Sequence, residues 1–316
     1  MMAHPHLKLA GIAFGAGAGA LWGLVFLAPE LVRDFDPLQL TVGRYLFYGL
    51  ISAILIAPRW KALTPHLARR EWFALCWLSL AGNVLYYLLL SKAIQTGGIA
   101  VTSLVIGFLP VAVTIIGSRH HEAVPLTRLL PSIALCCGGA ICIGWQALAL
   151  PASESVMAQV AGLLFAIGAL VSWTCYAVGN RRWLERLHHF SVHDWNLLTG
   201  VVTGLQSLVL VPIAVAVSTA HSGAAWTRFT MVSAGVAVLA SIVGNALWNK
   251  MSRLLPLTLV GQMILFETLF ALIYGFLWEQ RLPTMLEAAA FILVVASVLS
   301  CLAAHRKRVM VPLAAA

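Results

Sequence analysis

The chain has 316 residues, of which 61% are hydrophobic and 10% charged, with a mean hydropathy of +0.91. A soluble domain carries about 25% charged residues, so this composition excludes a water-solvated globule and points to one solvated by lipid. A net charge of +9 would suit nucleic acid, but in such a chain the placement of the basic residues decides.

Ten apolar runs can be marked, at roughly 8–29, 37–58, 71–92, 96–118, 125–148, 156–180, 194–217, 228–250, 256–278 and 283–304. The first is too long for a signal-peptide core and another follows directly, so it is expected to stay as a span. With the N-terminus in the cytoplasm, fifteen Lys and Arg side chains fall inside. Four fall outside (Arg33, Lys92, Arg228 and Arg281), and Arg44 lies within a span. That bias supports ten spans with both termini cytoplasmic, and it turns the basic excess into a topology signal rather than a nucleic-acid footprint.

In span one, Gly11, Gly15, Gly19 and Gly23 recur every fourth residue and form a groove where another helix can approach. Trp22 follows on the same face. An indole at mid-depth lies away from the interfacial belt, so Trp22 and its counterpart Trp173 in span six are expected to line a pocket. In span three, Asn83, Tyr86 and Tyr87 share a helical face, as do Asn245, Trp248 and Asn249 in span eight. Such faces suit either a cavity wall or hydrogen-bonded helix contacts worth about 0.6–2 kcal/mol. Span four carries the stripe Ser103, Gly107, Pro110 and Thr114, with Pro110 freeing a backbone carbonyl.

Span nine carries Met263, Glu267, Phe270 and Tyr274 on one stripe, with Gln262 and Phe266 beside it. A carboxylate at that depth costs about 2.5–3.5 kcal/mol on insertion scales, so Glu267 must pair, face water or carry a proton. Arg44 is its candidate partner. Coupling and a fixed structural role are both open for this pair.

The His120-His121-Glu122 and His188-His189 clusters flank cytoplasmic span ends. Neighbouring residues on a helix point about 100° apart and rarely chelate one ion, so no metal is expected. The six cysteines (Cys76, Cys136, Cys137, Cys142, Cys175, Cys301) all fall in apolar runs without metal-site spacing and read as small core residues. No H-E-x-x-H, G-x-S-x-G or Walker A pattern is present, so no catalytic residue and no cofactor is expected.

The chain also repeats itself. Gly11, Phe14, Gly17, Ala18 and Trp22 recur 151 residues later as Gly162, Phe165, Gly168, Ala169 and Trp173. Gly82, Asn83, Leu85 and Tyr86 recur 162 residues later as Gly244, Asn245, Leu247 and Trp248. Five spans per half is an odd number, so the second half is expected to be inverted. That is the signature of secondary transporters with a midplane site and alternating access.

Together these residues resemble the drug/metabolite transporter superfamily and its EamA-type exporters. The resemblance is carried by Trp22 after small residues, Gly43-Arg44-Tyr45, Leu109-Pro110-Val111, and Phe266-Glu267-Thr268-Leu269-Phe270-Ala271 followed by Glu279-Gln280-Arg281-Leu282-Pro283. Thr268 stands where the family usually has proline, which weakens the case for a helix break there. The resemblance implies an all-α integral membrane protein of two inverted five-helix repeats, 1–150 and 151–316, enclosing a cavity between spans 1, 3, 4, 6, 8 and 9. It implies export of small metabolites from the cytoplasm across a bacterial inner membrane, with no cofactor. The lining further resembles the aromatic amino acid exporter branch. Trp22, Tyr86, Tyr87, Phe108, Trp173, Trp248 and Phe266 would stack on the substrate beside Pro110, while Asn83, Asn245 and Gln262 meet its polar groups.

The expectation is an exporter of amino acids or similar zwitterions whose partners are that small molecule and membrane lipid. A monomer suffices and oligomers stay open. The rivals are a drug or lipid-carrier exporter with a cavity open sideways to lipid, a channel, and an intramembrane enzyme such as an acyltransferase built on the histidine clusters.

Overall fold

A computed structural model describes residues 5–112, 126–149, 156–184, 186–187, 191–254 and 257–309, and within them every regular element is a helix. The first is α1 (Pro5–Leu31) and the second α2 (Pro37–Ile56), after which short turns over residues 57–66 lead to α3 (Arg69–Ser79). A π-helical stretch, Leu80–Val84, joins α3 to α4 (Leu85–Ile106). Then come α5 (Leu126–Ala149), α6 (Val156–Leu184), α7 (Val192–Ala216) and α8 (Gly223–Val236). A second π stretch, Ala237–Gly244, leads into α9 (Asn245–Leu254), followed by α10 (Leu257–Glu279) and α11 (Met285–Val309). Among the described residues, six helical tracks are long and apolar enough to cross a bilayer.

Local chemistry sets the helix ends. Asp36 caps α2, accepting from the Leu38 amide at 2.8 Å, while Gln39 Oε1 accepts from the Asp36 amide at 3.0 Å and Pro37 opens the first turn. Ser191 caps α7 and Ser222 caps α8 in the same way. At α11 the Thr284 amide donates to Glu287 Oε2 at 2.8 Å, and Arg281 braces that carboxylate through two bonds of 2.7 Å. Inside α4 the chain turns sharply at Gly98, whose φ of +82° only glycine adopts without strain. This break separates the third and fourth apolar runs without any loop. Around Thr268, by contrast, α10 runs on uninterrupted.

Four helix pairs dominate the packing: α1 with α10, α2 with α7, α4 with α6, and α5 with α11. Each joins a helix from before residue 150 to one from after it. Small residues let three of these pairs come close. A Cβ on Gly49 of α2 would lie 2.5 Å from Gly204 Cα of α7, and one on Gly162 of α6 would lie 2.8 Å from Gly97 Cα. Gly15, Gly19 and Gly23 of α1 receive Met263, Phe266 and Ala271 of α10, as the groove reading of that stripe expects.

The outward surface is apolar. Leu50 and Ile54 of α2 and Leu208, Val209 and Ile213 of α7 are all more than half exposed, a band that only lipid covers favourably. The cysteines correct an expectation here. Cys76, Cys137 and Cys175 are free thiols on that exposed surface, while Cys136 and Cys142 are partly buried. In a bilayer the outside is as apolar as the core, so an apolar run does not say which way a small residue faces. Cys301 lies outside the residues whose side chains are described.

The Gly49–Gly204 crossing gives a direct test. Gly49→Ala forces α2 and α7 apart and is expected to cost about 1–3 kcal/mol through overpacking. Gly235→Ala has nothing within 4 Å of its new methyl. Thermal unfolding in detergent should show a clear loss for the first and none for the second.

Candidate functional site

Where α1, α2, α4, α6, α7, α9 and α10 converge, they enclose a cavity of about 580 Å³, within the range of small-molecule sites. Three indoles line it (Trp22 from α1, Trp173 from α6 and Trp248 from α9), with the phenols of Tyr45, Tyr48, Tyr86 and Tyr176. The Trp22 and Trp248 rings meet at 4.9 Å, and Trp173 meets Tyr176 edge-on at 5.7 Å. The amides of Asn83, Asn180, Asn196 and Asn245 and the hydroxyls of Ser241 and Thr268 are interspersed. Among the described lining residues only Arg44 and Glu267 are charged.

The two π stretches shape this wall. A π turn shifts the hydrogen-bond register by one residue, so carbonyls near it become available to other partners. Trp22 Nε1 donates to the Ala240 carbonyl in the second stretch at 3.1 Å, and Ser172 Oγ donates to the Ala81 carbonyl in the first at 2.7 Å. In each case a helix of one half satisfies the π stretch of the other. Asn83 lies within the first stretch and Asn245 directly follows the second. Asn83 Nδ2 donates to Thr203 Oγ1 of α7 at 2.9 Å, and Asn245 Nδ2 donates to the Ser241 carbonyl of its own helix at 2.8 Å. Both line the cavity, and Asn83 also serves as a contact between helices.

The two ends of the cavity differ. At the α6–α7 end, Asn180, Val192 and Asn196 form its wall, and Val192 is 47% exposed, so the cavity opens there. Trp195 Nε1 holds Asn180 Oδ1 at 2.9 Å, and the Asn196 carbonyl accepts from Tyr48 at 3.1 Å. At the opposite end Phe35 is 1% exposed and sealed against His221 at 4.0 Å, Phe229 at 4.5 Å and Trp226 at 5.0 Å. Gln95 Nε2 donates to the Phe35 carbonyl at 3.1 Å, Arg33 Nη2 to the Gln95 carbonyl at 2.9 Å, and Arg228 grips both oxygens of Asp34 at 2.7 Å. None of these residues lines the cavity. That end is shut.

Of the residues singled out in the sequence, Trp22, Asn83, Tyr86, Trp173, Asn245, Trp248, Arg44 and Glu267 come together around the cavity. Four do not line it. Tyr87 is fully buried, its ring centre 4.2 Å from the Arg44 guanidinium; Phe108 packs toward Gly139; Phe266 fills the Gly19 groove; and Pro110 follows the lining residue Leu109 without lining the cavity itself. Gln262 and Asn249 have no described side chains, and the two histidine clusters lie outside the described residues altogether. Arg44 and Glu267 share the cavity but form no ion pair within 4.0 Å.

Sequence reasoning missed Tyr45, Tyr48, Tyr176, Asn180 and Asn196. A signal existed for some of them: Trp173, Tyr176 and Asn180 stand at i, i+3 and i+7, one stripe of α6, and Arg44 with Tyr48 at i, i+4 on α2.

Comparison with known proteins agrees with this architecture. The model of the EamA-like transporter family matches twice, over residues 9–145 and 160–302. The inner membrane protein YtfF of Escherichia coli (strain K12) is 31% identical over 303 residues, covering 92% of this chain and 94% of its own length. A crystal structure superposes with a TM-score of 0.59 over 92% of this chain and 96% of that one; at 16% identity it speaks for the fold alone. This integral membrane chain belongs to the EamA-like transporter family.

Proposed function

We propose that the chain is a secondary transporter of a bacterial inner membrane that exports amino acids, aromatic ones favoured, by alternating access. It does so as two inverted five-helix halves, 1–150 and 151–316, with ten spans and both termini in the cytoplasm, and it is not an enzyme. Several observations support this reading. The family model matches each half separately, and the 31%-identical relative is described as an inner membrane protein. The two π stretches stand at equivalent places in the halves, each satisfied by a helix of the other. The observation that carries the substrate assignment is the wall itself. Three indoles and four phenols give flat apolar surface, and four amides among them offer hydrogen bonds. A body with a ring and polar ends matches that lining; a long acyl chain does not.

The basic residues Arg181 and Arg182 stand in the last turn of α6 and Arg186 just after it, so the α6–α7 end faces the cytoplasm in this orientation. The cavity then stands open inward and shut outward, the state in which an exporter collects its cargo. Opening the Phe35 seal while closing around Asn180 and Asn196 would complete the cycle.

Two outcomes test this. Trp22→Ala and Trp173→Ala each remove one stacking surface worth about 0.5–1.5 kcal/mol, so uptake of labelled tryptophan into everted vesicles should fall by about 2- to 12-fold. Unchanged rates would remove both residues from the site. Phe35→Ala strips about 3–5 kcal/mol of packing from the closed outer end. In a background without native cysteines, it should speed labelling of Val25→Cys by an impermeant maleimide added outside. Val25 lines the cavity and is 5% exposed, so a labelling rate equal to that of the parent would leave Phe35 without a gating role.

A further inference from the structure

The two charged residues of the cavity form no ion pair within 4.0 Å, with each other or with any described residue. Arg44 is only 7% exposed. Its guanidinium lies 4.2 Å from the centre of the Tyr87 ring and 5.0 Å from that of Tyr45, and Nη2 donates to Ser241 Oγ at 3.3 Å. Its Nε and Nη1 have no hydrogen-bond partner. The carboxyl of Glu267 faces the same cavity and makes no hydrogen bond or ion pair with a described residue.

A buried guanidinium left with open donors is expensive, several kcal/mol even after relaxation. A purely structural arginine has its donors satisfied. Here two tyrosine rings lie against the guanidinium and leave donors on Nε and Nη1 open. Open donors on Nε and Nη1 can each give a charge-assisted hydrogen bond to a carboxylate. The tyrosine clamp also explains why Arg44 does not collapse onto Glu267, which would extinguish both charges. Two opposite charges held apart across one cavity are complementary to a molecule that carries both signs.

We propose that the open donors of Arg44 dock the substrate's carboxylate and that Glu267 receives its ammonium group, so the pair selects zwitterions. This rests on the reading of the cavity as an amino acid site, and it assigns the two charge-reading residues within it. The ring of the substrate then lies among Trp22, Trp173 and Trp248. Binding pairs both buried charges at once, whereas a simple anion or cation leaves one of them unpaired.

The test uses the full-length protein purified in detergent, with isothermal titration of tryptophan, tryptamine (no carboxylate) and indole-3-propionate (no amine). Wild type should bind tryptophan tightest. Arg44→Gln should weaken tryptophan and indole-3-propionate by about 10- to 100-fold, the effect of losing a charged hydrogen-bond partner, and leave tryptamine unchanged. Arg44→Lys, which keeps the charge but not the fork, should show the same pattern with a smaller loss. Glu267→Gln should weaken tryptophan and tryptamine and spare indole-3-propionate. Equal losses for all three compounds in Arg44→Gln would make Arg44 a scaffold and overturn its assignment. If Glu267→Gln leaves all three affinities intact yet abolishes a pH-gradient dependence of transport, Glu267 carries a proton and its assignment falls. Should wild type bind no indole, the aromatic amino acid reading fails. Glutamate and succinate then judge Arg44 alone: their loss in Arg44→Gln upholds it, and unchanged or absent binding overturns it.

Discussion

Hydrocarbon offers no hydrogen bonds, and that constraint organises this molecule. Every donor, acceptor and charge at membrane depth must turn toward protein or toward the cavity. Arg44 and Glu267 sit where the helices of both halves converge because nowhere else at that depth tolerates them. The carbonyls freed by the two π stretches meet Trp22 and Ser172 for the same reason. On the outside, Leu50, Ile54, Val209 and their neighbours stand exposed at no cost, since lipid is their solvent.

Close packing supplies the second half of the account. Without a hydrophobic force between helices in lipid, association depends on fit, and glycine permits the closest fit. The crossings at Gly49–Gly204 and Gly97–Gly162, and the seating of α10 in the α1 groove, bring polar faces together instead of leaving them toward lipid. A chamber of about 580 Å³ remains between them, floored by aromatic rings and open at the α6–α7 end. Its far end is held by Phe35, around which the α1–α2 loop, α4 and the start of α8 meet.

Charge placement and packing also bear on each other. Tyr45 and Tyr87 flank the Arg44 guanidinium, their ring centres 5.0 and 4.2 Å away and their planes nearly perpendicular, while its Nε and Nη1 donors remain open. Tyr87 was a candidate to touch substrate. It serves the cavity from behind, by fixing the residue that does face it.

Much of this was legible in the chain. Lipid solvation, the helical class, the glycine groove of α1 and the mid-depth positions of Trp22, Trp173, Asn83, Asn245, Arg44 and Glu267 follow from residue type and a 3.6-residue period, both local properties. Periodicity names the face of a helix, but not what that face meets. Hence Phe108 and Phe266 share stripes with cavity residues yet pack into neighbouring helices, and exposed Cys76 and Cys175 look in sequence like core. Only the tertiary structure could decide that the cavity opens at Val192 and shuts at Phe35, that two π turns swing Asn83 and Asn245 into its wall, and that Arg44 and Glu267 stay apart. Each of these depends on rotation and distance between helices far apart in the chain, and the sequence of one helix carries no record of where another will lie against it.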